Sequence, residues 1–215
     1  MSERSKDSRG LILVISGPSG GGKGTVAARL AADPAYTLSV SATTRSMRPG
    51  EIPDVSYHYL TRECFEENLK ADNFLEYNHY VTGDYYGTLR SESEKILSSG
   101  RHLILEIDVH GGLKVKEQYP DTILIMLLPP SPEELERRLR NRGTETEEKI
   151  RQRLRIAKDE VALMKDNHYD YIVCNETGED GIGRAVEDIK SIVAAETMKL
   201  SRKSKLLDGF LSANL

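Results

Sequence analysis

Residues 11–25 read Leu-Ile-Leu-Val-Ile-Ser-Gly-Pro-Ser-Gly-Gly-Gly-Lys-Gly-Thr and run on into Val-Ala-Ala-Arg-Leu-Ala-Ala. A β-favouring apolar run enters a glycine-rich loop, and a lysine opens a segment of good helix formers. Strand, loop, lysine and helix in that order make a phosphate cradle, because glycines let backbone N–H groups turn inward and the helix start adds a positive dipole end. Lys23 supplies a point charge for the outer phosphates. The competing reading, an ordinary glycine turn, does not need the lysine. The candidate phosphate-binding residues are Gly17, Pro18, Ser19, Gly20, Gly21, Gly22, Lys23, Gly24 and Thr25. The strict pattern puts Ser or Thr directly after the lysine to hold Mg²⁺. Here that position is Gly24, and the hydroxyl comes one residue later at Thr25. A metal shell would then rest more on water and carboxylates, as Mg²⁺ tolerates.

A chain of 215 residues, 30% charged and 38% hydrophobic, has the make-up of a soluble globular protein with one sizeable core. Its net charge of −4 offers no global field for nucleic acid. Cys64 and Cys174 stand far apart without metal-ligand spacing, which argues against a disulfide framework and fits a reducing cytoplasm. No stretch approaches the ~20 apolar residues of a membrane span. Residues 1–9 read as a polar tail.

Beyond the first unit, a helix from Lys23 is expected to stop at Asp33-Pro34, followed by a strand over 36–40. Residues 41–51, Ser-Ala-Thr-Thr-Arg-Ser-Met-Arg-Pro-Gly-Glu, show neither helical nor strand periodicity. Short strands are expected over 57–59 and 74–77 with a brief helix between them. Residues 83–88 read as a turn-rich loop before a helix over 91–98. The section from about 39 to 88 is expected to be a small lobe inserted after the first βα unit.

Residues 101–108 return as an apolar strand whose end carries Glu106 and Asp108, two apart and so on one face. Open α/β sheets bind ligands at that edge. Residues 122–128 form a wholly apolar strand, as in a parallel sheet covered on both sides. Ser131, Pro132 and Glu134 make a capping-box helix start, and Thr144 with Glu147 suggests a second. This helix pair crowds arginines, Arg138, Arg142 and Arg153 among them. Pairing with local glutamates accounts for some, whereas phosphates favour guanidinium forks for two or three, as in a lid over residues 137–164. A strand over 169–174 and an amphipathic helix carrying Ile182, Ala185, Val186, Ile189, Ile192 and Val193 complete the core. Residues 201–215 read as a frayed tail.

Taken together, these blocks resemble guanylate kinase from about residue 10 to 199. The specific segments are Ser-Gly-Pro-Ser-Gly-Gly-Gly-Lys-Gly-Thr, Ser-Ala-Thr-Thr-Arg-Ser-Met-Arg-Pro-Gly-Glu, Phe-Leu-Glu, Gly-Asp-Tyr-Tyr-Gly-Thr and Arg-Gly-Thr-Glu-Thr-Glu-Glu. The resemblance implies an α/β parallel-sheet phosphate-loop kinase core with helices on both faces, a GMP-binding lobe and a helical lid. It further implies Mg²⁺-dependent transfer from ATP to GMP or dGMP, while charge, cysteine use and the lack of a long apolar run give the expectation of no nucleic-acid or membrane partner and of a cytoplasmic protein, monomer or dimer. By this resemblance Arg45, Arg48, Tyr57 and Tyr86 hold the GMP phosphate, and Ser41, Glu76, Thr88 and Asp108 line the guanine site. Lys23, Arg45, Arg138, Arg142 and Arg153 act on the transferring group, with Thr25 and Glu106 on the metal side. Three departures stand out: Glu106 where many members have aspartate, His110 for a usual glutamine, and one extra residue between Glu76 and Gly83. A kinase of another phosphorylated acceptor, or a phosphopeptide-binding module of related fold, are the alternatives.

Overall fold

The computed structural model describes residues 9–80, 83–141, 146–167, 169–178 and 180–212. Its larger sheet is parallel throughout and ordered β2 (Tyr36–Leu38), β7 (His102–Leu105), β1 (Ile12–Ser16), β8 (Ile123–Leu128), β9 (Tyr171–Cys174). Leu13 pairs with Ile104 on one side and Ile123 on the other, so β1 lies central and all five of its residues are buried. Alternation along the strands splits the core in two. Leu13, Ile15 and Ile125 pack under α1 (Lys23–Leu30) and α7 (Gly181–Thr197) through Val26, Leu30, Ile189 and Val193. Ile12, Val14, Leu105 and Leu124 pack on the opposite face against Leu97 of α3 (Arg90–Ser98) and Val115 of α4 (Val109–Gln118).

Helix α4 is absent from the sequence reading. Its Gly111-Gly112 pair lowers helix propensity, yet Asp108 caps it by accepting from the Gly111 N–H at 2.8 Å. Residues 106–108 are therefore not strand, as expected above: β7 stops at Leu105, and Asp108 sits at a helix start.

The smaller sheet, ordered β4 (His58–Tyr59), β3 (Ala42–Thr43), β6 (Tyr85–Leu89), β5 (Phe74–His79), lies between α1 and α3 in the chain. The turn-rich loop expected over 83–88 instead runs largely as strand β6, an inner strand pairing with both β3 and β5. Gly87 makes this possible, since a Cβ there would meet Phe74 Cδ1 at 2.8 Å. Phe65 of α2 (Arg62–Lys70) stacks on Phe74 at 4.3 Å and gives this sheet its own core.

Helices α5 (Pro132–Arg140) and α6 (Glu147–Asp166) pack on each other through Leu135, Leu139, Ile150 and Ala157. Ser131 caps α5 as expected, accepting from the Glu134 N–H, but Glu134 does not close the box: its carboxylate binds Arg137 and Arg138. Thr146 caps α6, and the proposed start at Thr144 lies outside the described residues. The stretch after Ser201 is also not frayed. It forms a 3-10 turn (Leu200–Arg202) and α8 (Ser204–Ser212), whose Leu206, Leu207, Phe210 and Leu211 recur at helical spacing and remain exposed. No helix among the described residues is long and apolar enough to cross a membrane.

Candidate active site

The loop leaving β1 takes its shape from positions no ordinary side chain accepts. Gly20 and Gly22 both have φ of 93°, a conformation that costs a residue with a Cβ. At Gly22 a Cβ would also lie 2.2 Å from Asn175 Nδ2. Asn175, buried just after β9, donates to the Gly21 carbonyl at 2.9 Å and clamps the loop from below. Lys23 Nζ donates to the Gly17 carbonyl at 2.5 Å and the Pro18 carbonyl at 3.2 Å, so its ammonium folds back across the loop mouth. Ser16 and Tyr169 anchor the strand end, with Tyr169 Oη donating to Ser16 Oγ and Ser16 Oγ to the Ile107 carbonyl. Burial pushes the Tyr169 hydroxyl up to about 12, so it stays a donor.

Across the cleft, the smaller sheet arranges charges by side-chain networks. The Glu51 carboxylate receives the Arg45 fork (2.8 and 3.1 Å), the Arg48 N–H (2.7 Å) and the Tyr59 hydroxyl (2.7 Å). Arg45, then the Arg48 amide and Tyr59, hold its pKa down to about 2, and Glu51 in turn raises that of Arg45. Arg45 Nε donates to Tyr86 Oη at 3.0 Å, and its guanidinium lies 5.3 Å from the centre of the Tyr57 ring. Arg48 has an exposed side chain at the rim.

Deeper in, Thr88 Oγ1 donates to Glu76 Oε1 at 2.8 Å within a buried pair. Burial, partly offset by Thr88 and reinforced by Asp108, lifts the Glu76 carboxyl to about 7. Asp108 Oδ2 receives Asn78 Nδ2 at 2.6 Å and Tyr80 Oη at 3.1 Å, while Oδ1 caps α4. Gly111 lies close to this pair, and a Cβ there would come 3.1 Å from Glu76 Oε2.

One cavity of about 470 Å³ joins these parts. Gly17, Ser19 and Lys23 line it on one side and Ser41, Tyr57, Glu76, Tyr86 and Asp108 on the other, with Glu106 between. Glu106 approaches Gly24, where a Cβ would lie 3.3 Å from its Oε2, and burial raises its pKa against the pull of Lys23. Thr88 stands behind Glu76, and Arg45 behind Tyr57 and Tyr86. Thr25 is exposed on α1 and does not line the cavity.

The arginines of α5 and α6 divide. Arg153 of α6 donates to Ser19 Oγ at 2.7 Å, reaching the loop itself. Arg138 is bound to Glu134 and donates to the carbonyls of Asn175 (2.8 Å), Glu176 (3.2 Å) and Gly21 (3.4 Å). Arg137 and Arg140 pair with Glu134, Glu136 and Glu147, the surface pairing expected for part of the group. Arg142 lies outside the described residues. Sequence reasoning missed Glu51, Asn78, Tyr80, Asn175 and the lid carboxylate Glu160, which also lines the cavity. Only Glu51 carried a local signal, lying six residues beyond Arg45; the others are polar residues on ordinary strands, loops and a helix.

A glycine-rich loop with its lysine thus faces a buried carboxylate pair across one space, with arginines at both ends. The comparisons agree with that geometry. The guanylate kinase family model matches residues 9–196. The chain is 45% identical over 210 residues to a guanylate kinase of Clostridium perfringens, covering 97% of this chain and 94% of that one. It is 46% identical over 195 residues to a guanylate kinase of Halalkalibacterium halodurans, covering 90% and 92%. Among solved structures, a crystal structure of guanylate kinase from Anaplasma phagocytophilum superposes with a TM-score of 0.73 at 31% identity, covering 96% of this chain and 98% of that one. With most of its length matched by the family model and by these relatives, this chain belongs to the guanylate kinase family.

Proposed function

We infer that the chain is an ATP:GMP phosphotransferase, moving the γ-phosphoryl group of ATP to GMP or dGMP and releasing ADP with GDP or dGDP. The observation that carries this reading is the single cavity into which both Lys23 and the Glu76–Asp108 pair open. Guanine presents N1–H and N2–H₂ donors beside an O6 acceptor. Glu76 and Asp108 accept from the donors and Ser41 donates toward O6, while Thr88, its proton given to Glu76, holds that carboxylate in place. Arg45, Arg48, Tyr57 and Tyr86 take the GMP phosphate, with Glu51 setting the orientation of Arg45. Residues 17–25 cradle the ATP phosphates.

Phosphoryl transfer leaves little covalent work for the protein. The GMP phosphate oxygen is already a nucleophile, so no general base is required. Lys23 and the lid arginines neutralise charge on the transferring group as the lid excludes water, limiting hydrolysis. Arg153, already at Ser19, is placed for this role. Arg138 acts on the same group from beneath the loop, and Arg142 completes the set.

Mg²⁺ fits the donor set in one particular way. Among the described residues no cluster of three or more acidic, His or Cys side chains is arranged to cage a metal. Single carboxylates beside the loop suit an ion that keeps its waters and is held mainly by substrate phosphates. Glu106, next to Gly24, would orient that water shell, with Thr25 at the first turn of α1. When bound, the ion neutralises the β- and γ-phosphates. An assay of ADP formation across GMP, dGMP, AMP, CMP and UMP tests the proposal. Strong preference for the two guanine nucleotides is expected, and equal use of AMP overturns it.

A further inference from the structure

One face of α6 meets the glycine loop through Arg153 and packs on α5 and the core through Ala157 and Met164. Arg153, Ala157, Glu160 and Met164 recur at i, i+4, i+7 and i+11, a single stripe on a helix. Arg153 reaches Ser19, Ala157 and Met164 are buried, and Glu160 lines the nucleotide cavity. Glu160 Oε2 is shut off from solvent and has no hydrogen-bond partner. A carboxylate oxygen left dry and unbonded is costly and calls for a cationic or donor ligand. The charged and titratable groups facing Glu160 are Lys23 from α1, Asp108 at the start of α4 and His110 within it. Glu106 lines the same cavity, so two carboxylates, one from the core and one from α6, share it with the lysine.

This pairing is unexpected in a cavity that must receive a polyphosphate, because an anionic lid group repels a bare triphosphate. It becomes favourable once a hydrated divalent cation accompanies the phosphates. We propose that Glu160 is a positioning residue through which the lid distinguishes metal-loaded ATP from free ATP, its carboxylate accepting from water on the cation while Arg153 meets phosphate oxygens on the same helix face. The proposal rests on the kinase reading above, and it extends that reading from substrate class to the form of nucleotide on which the lid closes.

The test is calorimetric titration of the whole protein with ATP in excess Mg²⁺ and with ATP in a chelator, for wild type, Glu160→Gln and Glu160→Asp. Wild type should bind the magnesium form more tightly. Glu160→Gln, of nearly equal volume, should narrow that preference about tenfold, the worth of one charge-assisted contact. Metal-free ATP should bind more tightly to this variant and the magnesium form more weakly. Glu160→Asp should restore part of the preference. A purely structural role would weaken both forms together and leave the ratio unchanged, and that result overturns the proposal. It is equally overturned if the ratio stays fixed and the GMP-to-dGMP preference changes instead, which would move Glu160 to the acceptor sugar. Failure of the kinase reading would look different: wild type would then form no ADP with GMP.

Discussion

The phosphate loop and the smaller sheet face each other across one cavity but are built on different principles. The loop is made of backbone. Its form depends on glycines at positive φ, on carbonyls that receive Lys23 and on the Asn175 clamp. The smaller sheet is made of side chains that meet, some across long separations, as Asn78 with Asp108 and Thr88 with Glu76, and some locally, as in the Glu51 hub. A backbone device fails as a whole when one position is altered, because every N–H shares one geometry. A side-chain network fails contact by contact, and each loss concerns a single feature of a single substrate. Damage to the loop should therefore remove catalysis outright, whereas damage in the lobe should redistribute specificity.

Lys23→Ala breaks the comparison most severely. Loss of the charge meeting the phosphates should lower kcat by roughly 10²–10³-fold or more, the scale seen when one transition-state donor is removed. Circular dichroism should show an intact fold, since the lysine's partners are loop carbonyls. Turnover equal to wild type at saturating ATP would separate this loop from the chemistry.

Glu76 supplies the next largest effect, together with a pH signature. A site whose buried acceptors would be left unpaired by the wrong base can discriminate by roughly 10⁴–10⁵. Glu76→Ala should remove most of the kcat/KM for GMP while barely altering residual AMP activity. With its carboxyl lifted to about 7 by burial, the free protein holds this proton more tightly than the unfolded chain does. Its contribution to stability is therefore full below about pH 4.5 and is lost as pH rises through 7, on the order of 3 kcal/mol in total. GMP needs the ionised form, so kcat/KM for GMP should fall as pH drops below 7. Thermal melts and rate profiles of Glu76→Gln should lose both slopes, and persistence of either assigns it to another group.

Glu51→Gln sharpens the comparison at smaller scale. With the Arg45 fork and the Arg48 amide no longer held by charge, the KM for GMP should rise about tenfold while that for ATP stays nearly constant. A larger change for ATP would place this hub on the wrong nucleotide. The smallest effect is expected at Thr25, exposed on the first turn of α1. Thr25→Ala should weaken use of Mg·ATP by only about two- to threefold, the worth of a modest hydrogen bond. A loss of a hundredfold would put its hydroxyl directly on the metal.

Legibility in the sequence followed the same division. The loop could be read because glycine spacing, lysine and helix start are local chemistry, complete within nine residues. The central sheet could be read because β1 and β8, covered on both faces, must be continuously apolar. Strand β6 was not legible: Gly83, Asp84 and Gly87 suggest a turn, and although Tyr85 and Tyr86 favour strand, the extended run is evident only from its pairing with β3 and β5. Helix α4 was hidden by its two glycines, which lower helix propensity and over which the ends of Glu76 and Tyr169 pack closely.

What the sequence determined by itself was therefore the phosphate loop, the parallel core and, through resemblance, the residues to examine. Only the tertiary structure decided which arginines stand where: Arg153 on the loop, Arg138 on the carbonyls below it, Arg45 held by Glu51. Tertiary structure alone also brought Glu106 and Glu160 into one cavity with Lys23. The reason is physical. Backbone preference acts over a few residues and leaves its mark in local order, whereas the partner of a charged side chain depends on which elements pack together, and nothing in the spacing of arginines and glutamates along the chain records that.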